Sequence, residues 1–265
     1  MGINIKNLKF SYSEIPVLND ISLDVKDGEI VGIVGSTGSG KTTFSMCLNG
    51  IIPNMIKGSF SGDVEICGKN TKKFKVFDMA KHIGMVFQDP DSQIFSIDVK
   101  DEISFGLENM GLSKDEIKKK VENVINDLGM NDISDRETFT LSHGQKQKVC
   151  MASVLVMDPD ILVLDEPTSQ LDYRATKGIY DILLKLKKRK KTIIVIEHKV
   201  EWLLKYTDRI LVLDKGKFVL NGSPYDVFSN PLLEKIGIEI PKTIRISNML
   251  KKRGVKIDFK KILEV

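Results

Sequence analysis

Short apolar runs bounded by polar residues recur along the chain, and their length is that of strands rather than helices. Ile30-Val31-Gly32-Ile33-Val34 and Ile161-Leu162-Val163-Leu164 carry no charged or hydroxyl-bearing position, the pattern of strands covered on both faces of a sheet. Thr192-Ile193-Ile194-Val195-Ile196 is a further strand-like run. Arg209-Ile210-Leu211-Val212-Leu213, Asp214-Lys215-Gly216-Lys217 and Phe218-Val219-Leu220 together predict a hairpin. Nearer the start, Ile3-Asn4-Ile5, Val17-Leu18 and Ile21-Ser22-Leu23 are short apolar segments, so residues 1–88 read as strand-rich.

The period then changes. Ser113-Lys114-Asp115-Glu116 is a capping box, and Ile117, Val121, Val124, Ile125 and Leu128 repeat at helical spacing until Gly129 ends the run. Residues 89–157 therefore read as an inserted helical subdomain, with 158–222 returning to the α/β core begun by 1–88. Ser223-Pro224 and Asn230-Pro231 each look like an N-cap followed by proline at the first helical position. A further helix is expected over 242–253, stopping at Gly254, so 223–265 forms a small helical extension.

Two of the strands end in chemistry. After Val34, the residues Gly35-Ser36-Thr37-Gly38-Ser39-Gly40-Lys41-Thr42 fit G-x-x-x-x-G-K-[ST], and 42–48 read as the helix leading out, so the loop has the strand–loop–helix setting that the pattern requires. Such a loop wraps phosphate oxygens in backbone N–H groups, aims a helix N-terminus at the anion, sends Lys41 to the β and γ phosphates and places the Thr42 hydroxyl on Mg²⁺. Thr43 belongs to the same candidate phosphate-binding set. At the end of Ile161-Leu162-Val163-Leu164, Asp165 is placed to hold a Mg²⁺ shell and Glu166 to orient and polarise an attacking water.

In this order and spacing the chain resembles the ATP-binding cassette (ABC) ATPases. That resemblance implies a P-loop α/β fold with an inserted helical subdomain, ATP and Mg²⁺ as ligands, and hydrolysis as the reaction. It assigns Tyr12 in Phe10-Ser11-Tyr12 to stacking on adenine and Gln88 to sensing Mg²⁺ and the γ-phosphate. Ser142, Gly144 and Gln145 in Leu141-Ser142-His143-Gly144-Gln145 match the signature that closes over ATP held by a second subunit. Asp172 matches the loop that crosses the dimer seam, and His198 the histidine that touches the γ-phosphate. His82 has no role in the pattern and is expected at the surface or a boundary.

One position departs from the pattern, because His143 stands where the family usually has glycine. A side chain there restricts φ, although histidine tolerates positive φ better than most. The expectation is a retained site, with His143 adding a donor.

Phe87-Gln88-Asp89-Pro90-Asp91-Ser92-Gln93-Ile94-Phe95, the segment Val99-Lys100-Asp101-Glu102-Ile103-Ser104-Phe105-Gly106 and the C-terminal extension narrow the resemblance to the ATPase of energy-coupling factor (ECF) transporters. That branch implies two ATPase subunits, alike or paralogous, under a membrane coupling protein that carries a substrate-binding membrane protein, and uptake of a vitamin or of cobalt or nickel. The alternatives are a conventional ABC importer, which shares the catalytic motifs, and a soluble ABC ATPase of repair or translation. Ile94, Phe95 and Ile97 fit equally a docking groove for coupling helices and ordinary core.

Composition trims the rest. A chain of 265 residues can bury a substantial core, and its apolar runs fall far short of the ~20 residues that span a bilayer. With no signal-peptide pattern in Met1-Gly2-Ile3-Asn4-Ile5, the expectation is a soluble protein held peripherally at the cytoplasmic face of the membrane. Cys47, Cys67 and Cys150 lack paired spacing and are expected reduced and mostly buried. A net charge of +4 gives no reason to expect nucleic acid. The basic run Lys185-Leu186-Lys187-Lys188-Arg189-Lys190-Lys191 reads as the solvated C-terminus of a helix, where cations suit the dipole.

Overall fold

The apolar runs form strands, and each divides its side chains between two separate cores. The computed structural model describes residues 2–252. The chain begins with β1 (Ile3–Ser11), β2 (Leu18–Val25), β3 (Ile30–Val34), α1 (Lys41–Leu48), α2 (Ile51–Asn54), β4 (Ser59–Ile66), β5 (Lys69–Asn70), α3 (Val76–Met79) and β6 (Ile83–Val86). Three longer helices follow: α4 (Val99–Asn109), α5 (Lys114–Leu128) and α6 (His143–Leu155). The chain then alternates through β7 (Ile161–Asp165), α7 (Tyr173–Lys188), β8 (Thr192–Ile196), α8 (Val200–Tyr206), β9 (Arg209–Asp214) and β10 (Lys217–Gly222). It ends in α9 (Pro224–Phe228), α10 (Leu232–Lys235) and α11 (Lys242–Lys252).

A six-stranded sheet in the order β10-β9-β3-β8-β7-β6 is parallel from β9 to β6, with β10 antiparallel at one edge. A four-stranded antiparallel sheet, β2-β1-β4-β5, covers one of its faces. Because strand side chains alternate, Val31, Ile33, Ile161, Val163, Ile194, Ile196, Leu211 and Leu213 pack with β1, β2, β4 and α1 in one core. Their neighbours Ile30, Val34, Leu162, Leu164, Ile193, Val195, Ile210 and Val212 pack in a second core with α4 to α9. This explains why β3, β7 and β8 read as unbroken apolar runs.

Local signals match as well. Ser113 and Glu116 cap α5 reciprocally, and Gly129 ends it at φ 62°. Lys215 and Gly216, at φ 46° and 75°, make the β9–β10 turn. Ser223 caps α9 with proline in its first turn, whereas α10 begins one residue later than expected. Pro231 is its N-cap, and Asn230 Oδ1 accepts from the Leu232 N–H at 2.9 Å. The basic run ends α7. For the last helix, α11 covers 242–252, and the expected stop at Arg253 and Gly254 lies outside the described residues. Among the described residues no helix is long and apolar enough to cross a membrane.

Parallel strands share one consequence. The loops after β3, β6, β7 and β8 all leave the same, carboxyl edge of the sheet, which is where an open α/β sheet gathers its ligand-binding residues.

Candidate functional site

At that edge the loop after β3 turns back on itself. Gly38 at φ 78° and Gly40 at φ 104° use left-handed backbone. A Cβ on Gly35 would lie 2.4 Å from the Leu213 carbonyl oxygen, so only glycine fits there. Gly40 is the N-cap of α1 and supplies no side-chain acceptor, so the first N–H groups of that helix face the loop without a side-chain cap. The Lys41 ammonium donates to the carbonyls of Gly35 at 2.9 Å and Ser36 at 3.1 Å, and the buried Ser39 hydroxyl has no protein partner. Uncapped N–H groups, a buried cation and an unpaired hydroxyl in one loop suit an anion.

Burial lowers the Lys41 pKa, while Glu166 and Asp165 act in the opposite direction. Burial likewise raises the Asp165 pKa, offset by a hydrogen bond from Thr42 and the charge of Lys41. Thr42 and Asp165 thus meet through their side chains, a hydroxyl–carboxylate pair of hard oxygen donors.

Glu166 follows at φ 50°, in the left-handed region, while its N–H extends the β7–β8 ladder to the Ile196 carbonyl at 2.9 Å. Its carboxylate is gripped from two sides. Gln88 Nε2 donates to Oε2 at 2.9 Å, and His198 Nε2 lies 3.0 Å from Oε1. Three loops from β6, β7 and β8 therefore converge on one partly exposed carboxylate. A carboxylate flanked by an amide and an imidazole, beside a buried lysine, can accept a proton from a water and hold an anion in register with it.

Other expected residues sit apart from this cluster. The Tyr12 hydroxyl is 3.0 Å from Thr43 Oγ1, and its half-exposed ring packs edge-on against Phe10. Ser142 is exposed and caps α6 reciprocally with Gln145. Ser142 N–H donates to Gln145 Oε1 at 3.0 Å, and the N3 backbone N–H returns to Ser142 Oγ. Asp172 caps α7 through the Ala175 N–H at 2.7 Å.

His143 corrects one expectation. It is the first residue of α6 with no positive φ, so its Cβ meets no conformational obstacle. Both ring nitrogens are shut off from solvent and lack a partner, so in this chain the ring does not present the donor expected of it.

Two features were missed in the sequence. Glu197, only 1% exposed, accepts from the backbone N–H groups of Thr168, His198 and Lys199 at 3.1, 3.0 and 3.3 Å and from the Thr168 hydroxyl. This buried carboxylate knots the loop after β7 to the loop after β8, and the signal was an acidic residue directly after an apolar strand. Lys199 Nζ adds a bond to the Leu171 carbonyl at 2.8 Å. The second feature is the approach of the C-terminal extension to the phosphate loop. Gly237, Ile238 and Glu239 line a hollow together with Gly35, Ser36, Thr37, Glu197 and His198.

The residues after Gln88 divide between inside and outside. Ile94 packs on the core, while Phe95 and Ile97 are 61% and 66% exposed and, with Phe139, border a groove. The Phe95 and Ser96 N–H groups donate to buried Glu102 at 3.1 and 2.9 Å, which fixes the segment to α4.

A family model described as ABC transporter matches residues 18–169, more than half of the chain. A Pyrococcus abyssi protein provisionally named an ABC transporter ATP-binding protein is 43% identical over 96% of this chain and 92% of its own. The energy-coupling factor transporter ATP-binding protein EcfA1 of Mycoplasma pneumoniae is 37% identical over 98% and 93%. Among solved structures, CbiO1 of Clostridium perfringens, described as part of the ABC transporter complex CbiONQ, superposes with a TM-score of 0.78 at 35% identity, covering 93% of this chain and 98% of that one. The ATP-binding cassette MJ0796, solved as a dimer in a post-hydrolysis state with ADP and Pi, gives 0.74 at 26% identity over 84% and 98%.

Proposed function

Since the chain belongs to the ABC transporter family and is an ATP-binding, ATP-hydrolysing cassette, we propose that it energises uptake through an ECF-type membrane transporter, with a vitamin or a transition-metal ion as cargo. The observation that carries this reading is a path from the hydrolytic cluster to the groove. Glu166 is bonded to Gln88. One residue before Gln88, the Phe87 N–H is held by Gln93 Oε1 at 3.0 Å, and Gln93 leads into the exposed Phe95 and Ile97. Lys146 of α6 is paired with Asp91 of the same segment, so the helix that carries Ser142 shares the path. An apolar groove hinged to both catalytic elements suits a coupling helix of a membrane partner better than a free surface. The likeness to EcfA1 and to CbiO1 of CbiONQ supports the ECF branch.

In this reading, residues 1–88 and 158–222 form the nucleotide-binding core, 89–157 the helical subdomain and 223–265 the extension. Tyr12 stacks on adenine. Gly35, Ser36, Thr37, Gly38, Ser39 and Gly40 wrap the phosphates, with Lys41 and Thr43 alongside. Thr42, Gln88 and Asp165 fit Mg²⁺, because Thr42 and Asp165 already meet as hard oxygen donors. That ion, when bound, neutralises charge on the phosphates. Glu166 takes the proton of the attacking water and His198 holds the γ-phosphate. Ser142, Gly144 and Gln145 of a second subunit, a copy or a paralogue, complete each site at an exposed helix N-terminus. Closure of the two subunits moves the helices docked in the groove, and hydrolysis reopens the pair at the cytoplasmic face of the membrane.

Purification of the tagged chain from native membranes in mild detergent tests the branch. A small membrane coupling protein among the co-purifying chains is the expected result. Recovery of a conventional permease with a separate solute-binding protein, or of ribosomes or repair proteins, sinks the ECF reading and leaves the ATPase in place.

A further inference from the structure

At the opposite, amino edge of the parallel sheet, three metal-ligating residues of three chemical kinds come together from three elements. Cys67 is in the β4–β5 turn, His82 directly precedes β6, and Asp160 directly precedes β7. His82 Nδ1 lies 3.6 Å from Asp160 Oδ2, Cys67 Sγ lies 4.0 Å from the same oxygen, and the three donor atoms all fall within 4.8 Å of one another. We infer that Cys67, His82 and Asp160 form a binding site for a borderline divalent transition-metal ion, with Zn²⁺ the ion that the donor set fits best and one coordination position left open to water.

The geometry supports it. Metal–donor distances of roughly 2.0–2.3 Å at tetrahedral to trigonal angles place such donors about 3.3–3.8 Å apart. The histidine–carboxylate separation, 3.6 Å, is already in that range, whereas the thiol, 4.0 Å from the carboxylate and within 4.8 Å of the imidazole, must close by up to about one ångström. Two of the three ligands are fixed by the sheet itself. The Ile161 N–H bonds to the His82 carbonyl at 2.9 Å, and the Thr192 N–H to the Asp160 carbonyl at 3.0 Å. The third rides on a two-residue hairpin turn, with Cys67 at φ 50° and Gly68 at φ 75°, conformations such turns normally give to asparagine, aspartate or glycine.

Charge points the same way. A thiolate and a carboxylate side by side are mutually unfavourable, and a divalent cation between them with a neutral imidazole makes the set neutral. The remaining cysteines do not compete, because Cys47 and Cys150 are wholly buried. The site lies across the sheet from Lys41 and Glu166, so it is not the nucleotide's cation site. Its occupation ties the turn of the antiparallel sheet to the parallel sheet.

Titration of the chelator-treated full chain with Co²⁺, followed by absorption, tests this. One cobalt per chain with a thiolate-to-cobalt charge-transfer band, displaced by Zn²⁺, is expected. The band should vanish in Cys67→Ser, and His82→Ala should lose more than the roughly tenfold in affinity that even a partner of a ligand costs. Both variants should still hydrolyse MgATP, which reports that they fold. Zn²⁺ should also raise the melting temperature of the native chain and leave that of Cys67→Ser where it was. Absence of the band at saturating cobalt overturns the inference, as does a band that survives in Cys67→Ser or cobalt affinity unchanged in His82→Ala.

Discussion

Glu197 is the residue on which the hydrolytic geometry depends without touching the reacting atoms. A carboxylate that is almost wholly buried survives only if its lone pairs are used, and the three N–H groups and one hydroxyl it accepts from belong to the two loops that carry Glu166 and His198. Glu197→Gln puts an NH₂ where donors already point. It should destabilise the chain by about 1–3 kcal/mol and lower kcat more than it changes KM for ATP, because the binding loop stays intact while Glu166 and His198 lose their registration. Urea unfolding together with steady-state hydrolysis checks both parts. An unaltered kcat in a destabilised variant makes Glu197 a purely structural residue.

The ionisable pair at the phosphate loop sets a pH window at the same scale. Burial lowers the Lys41 pKa and raises that of Asp165, so both groups are pushed towards their neutral forms. As pH rises through the lowered Lys41 value, the ammonium is lost and nucleotide affinity falls. As pH falls through the raised Asp165 value, the carboxylate is protonated and divalent-cation affinity falls. The profile of kcat/KM, which reports the free enzyme, should narrow at both ends relative to unperturbed lysine and aspartate, and excess Mg²⁺ should restore activity on the acid side only. Restoration on the alkaline side contradicts this assignment of the two limbs.

At the scale of elements, what was legible in the sequence was what local chemistry dictates. The strands β3, β7 and β8, the α5 cap and stop, and the loop after β3 are each specified by contiguous residues. The rest depends on pairings far apart in the chain. β4, Ser59–Ile66, mixes polar and apolar residues around Gly62, and nothing in it announces that it pairs with β1. The approach of 237–239 to the phosphate loop, and Glu102 reaching back to Phe95 and Ser96, are likewise invisible until the fold closes. His143 shows the converse, since a position doubted for its φ turns out to be an ordinary helical residue.

One contact between elements yields a direct test. Gly84 lets β6 and α6 approach so closely that a Cβ there would lie 2.2 Å from a Val154 methyl carbon and 3.1 Å from Pro159. Gly84→Ala must push the two elements apart, at about 1–3 kcal/mol of overpacking. The α6 helix carries Ser142, so hydrolysis should fall as well as stability. A melting temperature equal to that of the native chain removes the close packing from the account.

For the whole molecule, one chain assembles only part of the chemistry. Lys41, Gln88, Glu166 and His198 gather at the sheet edge, whereas the side-chain partner of exposed Ser142 is Gln145 of its own capping box. If a second subunit supplies that serine, turnover depends on encounter, and specific ATPase activity should rise with protein concentration until the dimer saturates. Blocking proton transfer while leaving binding intact should then hold the pair together. Glu166→Gln keeps the size and the bond to Gln88 but loses the basic oxygen, so hydrolysis should drop by at least about 100-fold and the variant should run at twice the monomer mass in ATP and at the monomer mass in ADP. Light scattering on that variant with and without ATP decides it. A monomer in ATP excludes a copy of this chain as the partner and leaves a paralogue to supply the serine, and an undiminished hydrolysis rate takes the role of base away from Glu166.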